Sequence, residues 1–239
     1  MDKPFLNISE MEFRKGQRVG VLAPHPDDFD AISIALRILF EKGLDLRCHV
    51  LSSGASGVED SFAKAAAIHD KGEIRKLEQI ESIKLFGLPS RNIRFDWLTE
   101  NDKGEIADTE DNFKAVKKIL KDGAYEFIFI PHGNDTNPDH RLVFRAVAKS
   151  LKELKSGATL FLNRDPKTIA MRIDVIAPFD AKDAEWKGAL LLCHQSQHAR
   201  NLASRGIGFD QRILEDNRKY ARELGSKSEF AEVFETFRY

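Results

Sequence analysis

The chain is poor in cysteine, in charge of one sign and in long apolar runs, and each shortage excludes a class of protein. Only Cys48 and Cys193 occur in 239 residues, one in an expected strand and one in an expected helix. They suit reduced, buried thiols, and two cysteines cannot build a disulfide framework or a thiolate zinc site. The formal net charge of -1 offers no broad basic field for nucleic acid. Nowhere do 18 apolar residues run together, which predicts no membrane-spanning helix. The opening "MDKPFLNISEMEFRKGQRVG" lacks the positive start and apolar stretch of a secretory signal. The expectation is a cytoplasmic protein with neither membrane nor nucleic-acid partners. Hydrophobic residues at 42% and charged residues at 31% give an ordinary soluble balance, and the length suits one large α/β domain spanning 1–239.

Short apolar runs alternate with stretches of helical period along the chain, the pattern of a parallel sheet covered on both faces. Strands are expected at 17–23, 46–52, 92–98, 125–131, 158–163 and 170–176. Helices are expected at 31–43, 72–87, 111–123, 140–154, 181–197 and 209–225. Gly43, Gly87 and Gly123 stand where three helices would take a left-handed cap. The predicted class is α/β, a Rossmann-like three-layer sandwich with a mostly parallel central sheet. The acidic segment 99–111 lacks the ligand spacing of a calcium loop and reads as a solvated turn, and 52–57, "SSGASG", reads as a strand-to-helix turn.

The segment that carries chemistry is "PHPDD" at 24–28. His25 and Asp28 are three apart at the end of the first expected strand, so on a first helical turn both can face one metal. The alternative is that Asp27 or Asp28 simply caps the following helix. A third donor, His140 in "NPDH" at 137–140, follows the fourth expected strand. In a sheet of order 3-2-1-4 the first and fourth strands are neighbours, and their carboxyl ends form the crevice at which the order reverses. Two His and one carboxylate with an open position make up a catalytic zinc site. The same donors describe a non-haem iron oxygenase, although those enzymes are usually built on β-barrels.

"PHPDD" with "NPDH" resembles the PIG-L/LmbE family of zinc-dependent N-acetylglucosamine de-N-acetylases, whose hallmarks are H-P-D-D-E and H-x-D-H. "RKLEQIESIKLFGL" (75–88) resembles the family's R-x-x-E with a later L-G, "KGALLLCHQSQ" (187–197) its K-x-x-A with H-x-S-Q, and "SEFAEVFE" (228–235) its A-E-x-F ending. The resemblance implies that His25, Asp28 and His140 hold one divalent metal, zinc or ferrous iron. It implies Asp27 as general base toward a water on that metal, and Arg75 as a contact to substrate at the mouth. For Arg75 a surface pair with Glu78 is the alternative. The implied partner is a small N-acetylated sugar or glycoconjugate, and the oligomeric state is left open.

There are two departures from the pattern. Phe29 replaces the usual Glu, and Asp30 fits the variant H-P-D-D-x-E. Asn137 replaces the first His of H-x-D-H, which in the family serves as acid or electrophile and is oriented by the Asp at the position of Asp139. An amide can donate a hydrogen bond but supplies no proton. Either Asp27 carries the proton alone, or His194, from the H-x-S-Q match, or His132, from the strand end, takes the missing part. The rival reading is a pseudoenzyme that binds metal and sugar without efficient turnover.

Overall fold

The computed structural model describes residues 5–63 and 67–239, and among them eight strands form one sheet. They are β1 (Leu6–Asn7), β2 (Arg18–Ala23), β3 (Asp45–Val50), β4 (Ile93–Phe95), β5 (Phe127–Pro131), β6 (Thr159–Asn163), β7 (Val175–Phe179) and β8 (Phe230–Arg238). Their spatial order is β1-β7-β8-β6-β5-β2-β3-β4. Every neighbouring pair is parallel except those that β8 makes with β6 and β7. The expected order 3-2-1-4 is therefore present as β4-β3-β2-β5, and the reversal falls between β2 and β5.

The helices are α1 (Asp28–Ala31), α2 (Ser33–Glu41), α3 (Asp60–Ala63), α4 (Ile68–Phe86), α5 (Glu110–Gly123), α6 (Pro138–Leu154), α7 (Ala181–Leu192), α8 (Gln195–Arg205) and α9 (Phe209–Glu223). Strand alternation sorts the apolar side chains onto two sheet faces. Val19, Val21 and Phe129 join Ile34, Leu39, Ile83 and Leu190 of α2, α4 and α7. Leu22, Ile128 and Ile130 join Val116, Leu120, Val143 and Val147 of α5 and α6. Burial on both faces is why these strands read as unbroken apolar runs. Among the described residues no helix is long and apolar enough to cross a membrane.

Four expectations are corrected. The helix expected at 31–43 starts earlier and breaks at Ile32, so α1 and α2 are separate, and Glu232 on β8 accepts the freed Ile34 and Ala35 N–H groups at 3.0 and 2.8 Å. The helix expected at 181–197 stops at Leu192, and α8 begins afresh where Glu78 accepts the Ser196 N–H and Oγ–H. The strand expected at 170–176 lies at Val175–Phe179, and β8 adds an antiparallel strand. Gly87 does cap α4 in the left-handed region, but Gly123 is the last residue of α5, and Ala124 takes the left-handed cap. At Gly123 a Cβ would come within 2.1 Å of the Tyr125 ring, so close approach explains that glycine.

Candidate active site

The carboxyl ends of β2 and β5 carry the two segments that the sequence singled out. Past β2 the chain turns so that the Asp28 carboxylate accepts the His25 backbone N–H at 2.7 Å, with His25 Nδ1 3.3 Å from the same oxygen. Past β5, Asn137 caps α6 by accepting the Asp139 N–H at 2.9 Å, which sets the buried His140 in the first turn. His140 Nε2 lies 3.6 Å from Asp28 Oδ1. His25, Asp28 and His140 thus offer two nitrogens and one oxygen within 4.8 Å of one another.

Behind each imidazole stands a carboxylate, hydrogen-bonded to His25 and close to His140 without a formed hydrogen bond. His25 Nε2 meets Asp139 Oδ2 at 2.9 Å, and His140 Nδ1 faces Asp135 Oδ2 at 3.4 Å. Such carboxylate partners fix the tautomer and ring plane of a metal-ligating His. Asp139 was expected to orient a residue at 137, but it orients His25, and its other oxygen accepts the Ile106 N–H. A second group, Asp135, His140 and Asp165, can also gather round a cation and shares His140 with the first.

The electrostatics are those of a cation site. Burial alone would lower the His25 pKa, but Asp139 and Asp28 outweigh it and hold the imidazole up at about 9. Burial likewise opposes charge on His140 and on Asp28, yet their mutual attraction prevails: the His140 pKa lies well above the ordinary value and the Asp28 carboxyl well below it.

Asp27 occupies the N-cap position of α1 without making a side-chain capping bond, and its carboxylate instead lies 3.2 Å from Arg75 Nη2. The helix-cap alternative is therefore unmet. The Arg75 side chain is 2% exposed and 3.8 Å from Glu78, so their pairing is buried and not a surface one, and Arg75 stands on the pocket wall beside Asp27. His194 is fully buried, with Nε2 2.7 Å from Asp30 Oδ2, and Gln79 Nε2 donates to the same oxygen. His132 accepts the Asn134 N–H on Nδ1 and faces Glu235 3.3 Å away. Neither His lines the pocket over the His25–Asp28–His140 group, a cavity of about 390 Å³ that His25, Asp27, Asp28, Arg75, Asn137 and His140 do line.

Of the motif pieces, Glu78 meets Ser196 in the buried frame, while Arg75 and Gln197 reach the pocket wall. Lys187 donates to Ala31 O, Asn217 Oδ1 and Glu232 Oε1 and ties α7 to the α1–α2 break. Sequence reasoning missed Asp135 and the pocket's basic residues Lys167, Arg200, Arg205 and Arg212. The five-residue gap from Asp135 to His140 was the available signal for the first. Arg200 and Arg205 stand on α8, which the sequence reading ran into the preceding helix, whereas Arg212 stands on α9, a helix expected at 209–225 and present at Phe209–Glu223.

No curated protein matches the chain in sequence. Solved structures match in fold. N,N'-diacetylchitobiose deacetylase from Pyrococcus horikoshii aligns over 96% of this chain and 88% of its own, at 20% identity and a TM-score of 0.75. The 4-carboxy-2-hydroxymuconate hydratase of Pseudomonas putida aligns over 93% and 96%, at 17% and 0.68. A zinc-inhibited form of teicoplanin deacetylase aligns over 93% and 99%, at 15% and 0.70. Identities this low show a shared fold, and the fold hosts a hydratase as well as deacetylases. The family model described as PIG-L, GlcNAc-PI de-N-acetylase, matches residues 21–151, more than half of the chain and the stretch running from His25 to His140, and the protein belongs to that family.

Proposed function

We propose that the protein is a cytoplasmic, metal-dependent hydrolase that removes an N-acetyl or related N-acyl group from an amino sugar, a glycoconjugate or a similar small amide. The observation that carries this reading is the His25–Asp28–His140 group, open on its pocket side, in a chain of the PIG-L family. The donor set fits a divalent ion, zinc first and ferrous iron second: two imidazoles, each backed by a carboxylate, and one carboxylate, with room for a further ligand. When bound, such an ion supplies Lewis acidity, lowering the pKa of water to about 7 and polarising an acyl carbonyl.

The chain's own residues do the rest. Asp27, beside the ligands and at the pocket wall, takes the proton of the attacking water. Arg75 is a positioning residue that holds the Asp27 carboxylate from below. The Asn137 amide oxygen is occupied by the α6 cap, which leaves its Nδ2–H groups as donors to the oxyanion. As the C–N bond breaks, the leaving nitrogen takes the proton back from Asp27, because the histidines lining the pocket are His25 and His140, both in the donor set. The products are the free amine and a carboxylic acid.

The use of Asn137 as a helix cap favours a second reading, a protein that binds metal and sugar but turns over poorly. A screen for acetate release from N-acetylated sugars, with metal content measured on the same sample, separates the two. Turnover supports the hydrolase. Silence in the unmutated protein with turnover in Asn137→His supports the pseudoenzyme.

A further inference from the structure

His140 has two ring nitrogens, and the fold gives each its own surroundings. Nε2 faces Asp28 Oδ1 at 3.6 Å, on the side of the proposed metal ligands. Nδ1 faces Asp135 Oδ2 at 3.4 Å, and this buried nitrogen has no hydrogen-bond partner among the described residues. Asp165 completes a second group. One of its carboxylate oxygens, one from Asp135 and a ring nitrogen of His140 lie within 4.8 Å of one another.

The chain prearranges this group. Asp135 follows β5 and Asp165 follows β6, and because these strands are parallel neighbours both loops leave the same end of the sheet. The two loops are stitched together. Thr136 N–H donates to Lys167 O at 3.2 Å, Ile169 N–H to Asn134 O at 2.9 Å, and Thr168 Oγ–H to Asp135 Oδ2 at 3.2 Å. Within each loop a backbone amide aims the carboxylate: Asn137 N–H onto Asp135 Oδ1 at 2.7 Å, and Lys167 N–H onto Asp165 Oδ1 at 2.9 Å. Asp135 is 1% exposed, and among the described residues no Lys or Arg lies within ion-pair distance of either carboxylate. Carboxylates withdrawn from water are stable when they are paired or when they coordinate a metal.

We propose that Asp135, Asp165 and Nδ1 of His140 form a second divalent-cation site, filled after the first, so that His140 bridges two ions. The step balances as an exchange. The Nδ1–H bond breaks, its proton leaves to solvent, and the freed lone pair binds the second ion with no change of oxidation state. Two carboxylates and one imidazole nitrogen suit zinc, manganese, cobalt or ferrous iron. Because a proton must leave a ring that already holds one ion, the second ion is the more weakly held and is the first to be lost on dilution or chelation. Asp165 and His140 both line the active-site pocket, so the second ion borders the same cavity as the first. This inference deepens the hydrolase reading and rests on its metal site at His25, Asp28 and His140.

Counting bound ions tests the second site without requiring turnover. Protein stripped with chelator is titrated with Co2+ by calorimetry, and bound cobalt is measured by elemental analysis after equilibrium dialysis. Wild type should take up two equivalents in two steps, the second weaker than the first. Asp165→Asn keeps an acceptor for the Lys167 N–H but removes the charge. It should weaken the second step by about 100-fold, the upper end of what outer-shell losses cost, and leave the first step in place. Two Co2+ ions that share one imidazole are magnetically coupled, so the EPR signal of the doubly loaded wild type should fall below the sum of two isolated ions. A single equivalent in wild type, a second equivalent that survives Asp165→Asn, or two uncoupled spectra overturns the second site. A protein that binds no ion at all overturns the hydrolase reading with it, whereas one equivalent with acetate release leaves that reading standing. Two coupled equivalents without acetate release support the second site and count against the hydrolase.

Discussion

Arg75 and Asp27 form the contact at which two accounts of the site separate. The sequence resemblance implies that Arg75 touches substrate, whereas its side chain is almost wholly buried and 3.2 Å from the Asp27 carboxylate. If it positions Asp27, Arg75→Ala should lower kcat with little change in KM. It should also lower the unfolding free energy by about 3 kcal/mol, read as a lower midpoint, as expected for breaking a buried pair. A raised KM with an unchanged midpoint would restore the substrate grip. A second residue-scale outcome concerns the metal-free protein. The His25 pKa is held at about 9, against about 6.5 for an unfolded chain. Between these values the folded state holds more protons than the unfolded one, so this contribution to stability is complete below pH 6.5 and is lost as pH rises through 9. The difference in urea midpoint between chelator-treated wild type and His25→Gln should therefore shrink from pH 6 to pH 9.5. A constant difference would contradict the carboxylate-held imidazolium. Metal binding at neutral pH should also release protons, visible as a buffer-dependent enthalpy.

At the scale of elements, β8 holds the site's frame together and is the element the sequence hid. A run containing Glu232 and Glu235 does not read as a buried strand, because those charges are acceptable inside only with partners far away in the chain. Glu232 finds the amide groups that start α2 and the Lys187 ammonium, and Glu235 accepts the Arg172 N–H. The breaks at Ile32 and after Leu192 were hidden for the same reason, since each depends on a distant carboxylate, Glu232 or Glu78, that receives the exposed helix-start amides. The parallel strands β2, β5 and β6 were legible, because burial on both faces leaves an almost unbroken apolar run in the local sequence. The donor group at His25, Asp28 and His140 was legible for a related reason: all three stand just past strand ends, where position in the sheet fixes position in space. Asp139's partner was not, since only packing decides which imidazole it meets. One consequence is testable. Glu232→Leu should destabilise the fold by about 3 kcal/mol or more. Lys187→Met combined with it should recover only part of that loss, because the Ile34 and Ala35 N–H groups stay unpaired. Full recovery in the double-mutant cycle would show that the helix-start contact contributes nothing.

Across the whole molecule, the reversal of strand order between β2 and β5 brings together segments more than a hundred residues apart and opens a crevice above them. The family match ends at 151, yet α8 and α9 complete the pocket wall and β8 braces its floor. The central claim is that Asp28 belongs to a metal site and its neighbour Asp27 to the chemistry, and one paired measurement tests it. Metal content and acetate release from an N-acetylated sugar are determined on the same preparations of wild type, Asp27→Asn and Asp28→Ala. The account predicts that Asp27→Asn keeps its metal and loses about 10² or more in kcat/KM, while Asp28→Ala loses the metal itself. Full metal in Asp28→Ala, or undiminished acetate release from Asp27→Asn, would contradict it.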